Sequence, residues 1–250
     1  MTAELVGVIV LGAALAGFVQ GLSGFGFSMT AMSIWAWTLE PRLAAALAVF
    51  GSLAGQLLSA ATVRRGFGWR RLAPFLAGGV AGLPLGLWIL PRLDVPLFKT
   101  TLGAILLVVC PLMFIAPGLP PLRRGGRTTD AFAGAAGGLM GGLGGMTGVV
   151  PALWCSVRGF PKDEQRAVVQ NFNLTMLAVT FAGYVATGLV DLTILPMFAI
   201  VAPAMLVPAL LGARLYIGIS EQMFRRIVLG LLTLSGVAML LASVPVLLRR

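Results

Sequence analysis

The sequence predicts an all-α polytopic membrane protein made of two inverted repeats, each a glycine-broken re-entrant helical hairpin followed by three transmembrane helices. Three observations lead to this fold class. The 250 residues are 58% apolar and only 10% charged, with a mean hydropathy of +0.98, whereas about a quarter of a soluble domain is charged. The run of apolar segments halts at a basic linker in mid-chain and then starts again. Finally, each half opens with a glycine-rich stretch. Gly134 to Pro151 reads GAAGGLMGGLGGMTGVVP and places eight glycines in the fifteen residues from Gly134 to Gly148. Each glycine costs about 1 kcal/mol relative to alanine inside a helix. In a bilayer, irregular backbone persists only where it is buried in protein or lines a cavity.

Taken in order, residues 5–39 are apolar over thirty-five positions but are interrupted by Gln20-Gly-Leu-Ser-Gly-Phe-Gly-Phe-Ser28. That is too long for one span and too short for two, so it reads as two helical arms with a break. Glu4 stands where a signal peptide would carry positive charge, which argues against a cleaved signal. Residues 43–63, 72–90 and 97–116 each match the roughly twenty residues that cross a hydrocarbon core. The linker 117–130, PGLPPLRRGGRTTD, divides the chain. Residues 131–156 form the second glycine-broken hairpin, and 167–188, 192–212 and 227–247 are three further spans. The first repeat is thus 1–116 and the second 131–250.

The restart is visible in the residues themselves. A shift of 117 places Ala16, Gly17, Gly21, Leu22, Gly24, Met29 and Thr30 on Ala133, Gly134, Gly138, Leu139, Gly141, Met146 and Thr147. A shift of 126 places Leu85, Gly86 and Phe98 on Leu211, Gly212 and Phe224, with Lys99 on Arg225. Two-half transporters carry this signature. The basic residues favour hairpins over crossings. If both broken segments crossed, the eighteen Lys and Arg would divide evenly, with Arg64, Arg65, Arg70, Arg71, Arg123, Arg124, Arg127, Arg249 and Arg250 on one face. If both turn back, Arg249 and Arg250 leave that face and Arg158, Lys162, Arg166, Arg214, Arg225 and Arg226 join it, thirteen against five. That bias marks a cytoplasmic face. Three crossings per half then invert the second repeat, and arms of about a dozen residues reach about 18 Å, just past mid-bilayer.

A helix that begins inside the membrane presents unpaired N–H groups and about half a positive charge, which suits an anion. Gly24, Gly26, Gly141, Gly142, Gly144 and Gly145, with Met146 among them, would let an oxyanion approach the backbone. Ser23, Ser28, Thr30 and Thr147 offer hydroxyl donors. Tight helix packing through small residues is the competing explanation of the same glycines. Gln20, at the first break, is a further candidate. Polar side chains recur on the span after each hairpin: Ser52, Gln56 and Ser59 in the first half, and Gln170, Asn171, Asn173 and Thr175 in the second. They serve either substrate or hairpin clamping, or else interhelical hydrogen bonds worth about 0.6 kcal/mol each. Asn171 and Asn173, two apart, cannot face the same partner on a helix. Cys110 and Cys155 read as free, small core residues. There is no histidine, and the eight carboxylates fall in loops or at segment ends, which leaves no acid–base pair, metal cluster or nucleophile. No enzyme, cofactor or nucleic-acid partner is expected; the partners are a small anion and the lipid bilayer.

The chain resembles the TauE/SafE family of sulfite exporters and related anion permeases. The resemblance rests on Gly17-Phe-Val-Gln-Gly-Leu-Ser-Gly-Phe-Gly26 and its echo from Gly134 to Gly148, and on Gly86 and Gly212 leading into Phe98-Lys99 and Phe224-Arg225; it covers nearly the whole chain. Phe25-Gly-Phe27 stands where a fuller glycine run is common. What the resemblance implies is export of sulfite or an organosulfonate such as sulfoacetate across a bacterial inner membrane. An anion channel or uniporter for another oxyanion or carboxylate is the alternative within transport, and a non-transporting membrane scaffold or enzyme is the alternative outside it.

Overall fold

The computed structural model describes residues 3–24, 26–62, 66, 68–116, 122, 126–215 and 221–248. Phe25, Arg64, Arg65, Arg123, Arg124, Arg249, Arg250 and most of the 117–130 linker lie outside the described residues, as do the side chains of Phe224 and Arg225. All regular structure among the described residues is helical. The helices are α1 (Ala3–Ser23), α2 (Phe27–Trp35), α3 (Pro41–Thr62), α4 (Trp69–Ile89), α5 (Val95–Ile115), α6 (Arg127–Gly144), α7 (Val149–Val157), α8 (Lys162–Ala186), α9 (Leu195–Leu215) and α10 (Glu221–Leu248). Among the described residues, seven segments are long and apolar enough to cross a membrane. Their outward faces carry exposed side chains such as Val80, Trp88, Val108, Phe114, Leu211, Leu234 and Leu241, a surface that only lipid can cover over so much of the molecule. The protein is an integral membrane protein.

The interruptions are narrower than the glycine pattern suggests. Helix α1 runs through Gln20-Gly-Leu-Ser and gives way only at Gly24, so its 21 residues make it a seventh span-length helix where two shorter arms were expected. Helix α6 likewise starts at Arg127 and continues through Gly134, Gly137, Gly138, Gly141 and Gly142 to Gly144. It is about 27 Å long at 1.5 Å per residue, while the nine-residue α7 is about 14 Å. The arms are therefore unequal in both pairs. Each second arm folds back along the first. The Trp35 indole N–H donates to the Val8 carbonyl at 3.2 Å, and the Trp154 indole N–H donates to Asp130 at 2.8 Å.

The reason α6 tolerates its glycines is the helix it lies against. A methyl group on Gly134 would sit 2.1 Å from the Phe75 carbonyl oxygen, and one on Gly138 would sit 2.0 Å from that of Gly79. From the other side, Gly82 and Gly86 meet the carbonyls of Ala135 and Leu139 at 2.0 and 2.3 Å. Helices α4 and α6 thus pack backbone to backbone, as small-residue stripes allow in membranes. Helices α1 and α9 do the same through Gly17, Gly21 and Gly212. Each long broken-pair helix is therefore seated on a span from the other half of the chain, while α5 pairs with α10 and α3 with α8.

The connections gather at two ends. At one, Arg42 donates to the Pro91 carbonyl at 3.0 Å and the Lys99 ammonium lies 5.0 Å from the Trp37 ring centre. At the other, Arg71 pairs with Glu164 at 3.8 Å, Asn171 donates to the Gly66 carbonyl at 3.0 Å and the Leu122 N–H to that of Val157 at 2.9 Å. Asp130 departs from its expected place in a solvated linker. It is 4% exposed in the first turn of α6, held by Trp154 and 3.8 Å from Arg158. Both cysteines are free and buried.

Candidate functional site

The polar residues that the membrane would exclude from its own interior collect where the two broken pairs meet. Beyond Gly24, the α2 helix starts from Gly26, whose φ of 101° lies in the left-handed region. Beyond Gly144, the chain turns at Gly145, φ 77°, and restarts as α7 after Gly148. Glycine is required at both turns because a side chain strains this backbone. The turns touch: a methyl group on Gly145 would lie 2.7 Å from the Ser28 hydroxyl, and one on Gly144 would lie 2.0 Å from the Met32 methyl.

Between them lies a small, partly open cavity of about 20 Å³. Its lining contains Gln20, Gly26, Ser28, Ser52, Gln56, Gly145, Met146, Thr147 and Asn173, nine of the residues singled out from sequence, together with Met29, Gly148, Val149 and Leu177. No charged residue is among them. Residues from the first turn of α2, Ser28 and Met29, and from the first turn of α7, Val149, line this same space. The leading N–H groups of both helices have no carbonyl within the helix to bond.

The side chains are held by one another. Gln56 donates from Nε2 to the Gly24 carbonyl at 2.9 Å, which fixes the first break. Gln20 Nε2 donates to the Ser52 carbonyl at 3.4 Å, and the Ser28 and Ser52 hydroxyls share a hydrogen bond. In the second half, the Thr147 hydroxyl donates to Asn173 Oδ1 at 2.7 Å, leaving the two N–H groups of that amide to be aimed elsewhere. The Tyr184 hydroxyl donates to the Gly142 carbonyl at 2.9 Å near the end of α6.

Other expected residues stand apart from the cavity. Gly141 and Gly142 are taken up by packing, the first beneath Thr147 and Thr180 and the second against Gly86; Gly144 is taken up by Met32. Ser23 is exposed and returns its hydroxyl to the Val19 carbonyl at 2.7 Å. Thr30 is half-buried on α2. Asn171 points to the Gly66 and Ala167 carbonyls, two positions and so more than half a turn from Asn173, which takes the cavity. Gln170 is 7% exposed, with Nε2 3.9 Å from where a Gly24 side chain would begin. Sequence reasoning missed Met29, Val149 and Leu177, apolar residues in an apolar chain. On α8, Asn173 and Leu177 share one stripe with Thr180 and Tyr184 at helical spacing.

With this geometry in view, comparison with known proteins identifies the family. The sulfite exporter TauE/SafE family matches residues 9–239, almost the whole chain. The chain belongs to the TauE/SafE family. Neither the curated proteins nor the solved structures compared with it give a match. Membership makes this a membrane protein of a transporter family, with both helix breaks and every cavity residue inside the matched region.

Proposed function

We propose that the protein is a secondary carrier that exports a small sulfur-containing anion, sulfite or an organosulfonate such as sulfoacetate, across a bacterial inner membrane by alternating access. The observation that carries this reading is the single cavity shared by both breaks, lined by Ser28, Ser52, Gln56, Thr147 and Asn173 and lacking any cation. An oxyanion there meets hydroxyl and amide donors and the N-terminal ends of α2 and α7. Each neutral hydrogen bond contributes about 0.5–1.5 kcal/mol, and a helix end adds up to about 2 kcal/mol in a partly buried setting. Against a desolvation cost of several kcal/mol, such a site binds weakly and releases readily, as a carrier requires.

In this reading the two broken pairs re-enter the membrane from opposite faces and the second repeat is inverted. Several features support it. The pairs fold back on themselves; Trp37, Arg42 and Lys99 collect at one end while Arg71, Arg158 and Glu164 collect at the other. Helices α4 and α9 have equal lengths at a constant offset of 126. The exchange of partners, α1 on α9 and α4 on α6, gives two bodies, each built from both repeats, that rock about the cavity between them. The end carrying Arg71 and Arg158 is cytoplasmic.

Flux of labelled sulfite in proteoliposomes, with sulfate and sulfoacetate as competitors, tests the reading. A carrier gives saturable uptake that unlabelled anion inside the vesicles accelerates. Conductance without such counterflow identifies a channel, and no flux of any of the three anions contradicts the assignment.

A further inference from the structure

Thr180 carries a buried hydroxyl that satisfies nothing. The residue is fully buried on α8, and its Oγ1 has no hydrogen-bond partner. Threonines inside helices ordinarily return the hydroxyl to the carbonyl one turn back. Thr100, Thr101, Thr187 and Thr233 all do so in this protein, at 2.7–2.9 Å. Thr180 instead turns its hydroxyl toward α6, to a point 3.3 Å from where a Gly141 side chain would begin. The methyl group of Thr147 fills the same notch at 2.6 Å from that point. Thr147 itself lines the cavity, and its hydroxyl is drawn the other way, to Asn173. Along α8, Thr180 lies seven residues beyond Asn173 and three beyond Leu177, both of which line the cavity.

A buried polar group left without a partner is uncommon and asks for a reason. We propose that Thr180 is a second donor to the anion, covered in this conformation by the Thr147 side chain. A rotation of Thr147 about χ1, between staggered wells, withdraws its methyl from the notch beside Gly141. The Thr180 hydroxyl then faces a bound oxyanion as its next station on the way out. Gly141 is the position where any side chain would close that notch. Neutral hydroxyl donors select an oxyanion with an accessible oxygen and do not depend on its net charge. This inference rests on the cavity being the anion site.

The test compares Thr180→Val, which keeps the shape and removes the hydroxyl, with Thr180→Ser, which keeps the hydroxyl. Counterflow of labelled sulfite and thermal unfolding in detergent are measured for both, alongside Asn173→Ala. Thr180→Val is expected to lower the maximal rate two- to tenfold, the effect of one lost neutral hydrogen bond, with KM changed less than twofold. Thr180→Ser is expected to restore the rate. Because valine removes an unsatisfied buried hydroxyl, its unfolding temperature should be unchanged or higher. Should valine prevent insertion by crowding Gly141, Thr180→Ala takes its place with the same expected loss of rate. A Thr180→Val protein that transports at the wild-type rate while Asn173→Ala weakens transport overturns the role of Thr180 alone. If neither substitution alters transport, the cavity is not the site and both readings fall. A parallel loss of stability and rate that serine does not restore assigns Thr180 to packing and contradicts the proposal.

Discussion

Asn173 and Gly145 define what the individual residues of this site do. Asn173 is 4% exposed, accepts the Thr147 hydroxyl and lines the cavity, so in the proposed reading Asn173→Ala removes one donor from the anion. Binding of sulfite, measured calorimetrically in nanodiscs, should weaken by about 0.5–1.5 kcal/mol, or two- to tenfold. Gly145 and Gly144 act through the backbone. Alanine at Gly145 would force a left-handed φ of 77° and press on Ser28, a cost of at least about 1–2 kcal/mol, seen as a lower unfolding temperature in detergent. At Gly144 the obstruction is the Met32 methyl, the far end of a flexible side chain, so Met32→Ala should recover part of the stability lost in Gly144→Ala. Much of the cavity was legible at this scale, because a serine, glutamine or asparagine stands out in an apolar segment and each such residue needs a partner. Leu177 and Val149 were not, since nothing distinguishes a cavity-lining leucine from its lipid-facing neighbours. Thr30 and Asn171 lie outside the cavity lining for a related reason: composition shows that a residue is polar, while the local helix phase decides where it points.

Among the elements, the two breaks were legible and their extent was not. Glycine density marks both a broken helix and a helix pressed against another backbone, and the sequence does not separate them. In α6 both occur: Gly134 and Gly138 are for packing on α4, and only the segment from Gly145 to Gly148 interrupts the helix. A leucine at Gly21 should therefore act on assembly, since its first carbon would meet the Ala209 carbonyl at 2.0 Å. Gly21→Leu is expected to leave little folded protein by size-exclusion chromatography, whereas leucine at Gly7, where nothing lies within 4 Å, should leave the yield unchanged. The fold-back of α7 on α6 depends on Asp130. Removing it takes the acceptor from the Trp154 indole N–H and the carboxylate 3.8 Å from Arg158, whose side chain is 11% exposed, and a buried donor left unsatisfied costs about 1–3 kcal/mol. Asp130→Ala should accordingly expose Cys155, now buried, to alkylation by maleimide. Wild-type resistance and variant reactivity are the expected pair of results. Asp130 was hidden in the sequence by its place in a basic, glycine-rich linker, where a carboxylate ordinarily meets water.

Across the whole molecule, two halves of one chain lend each other their supporting helices and border an uncharged polar cavity. The offsets of 117 and 126 made the two halves visible in the sequence, while the exchange of α1 and α6 between them is a property of packing that no periodicity encodes. If the two bodies rock about the cavity, a disulfide between cysteines at Met32 and Gly144, which touch where the two broken pairs meet, should arrest counterflow until it is reduced. In the proposed reading neutral donors alone hold the anion. It is tested most directly by sulfite counterflow in proteoliposomes for the wild type, for the double variant Ser52→Ala with Asn173→Ala, and for variants in which Arg71, Arg158 and Arg226 are each replaced by glutamine. A several-fold rise in KM is expected for the double variant, with an unchanged KM in every arginine variant that inserts. A KM that holds in the double variant and rises steeply on loss of one arginine would contradict it, placing the anion on a cation outside this cavity.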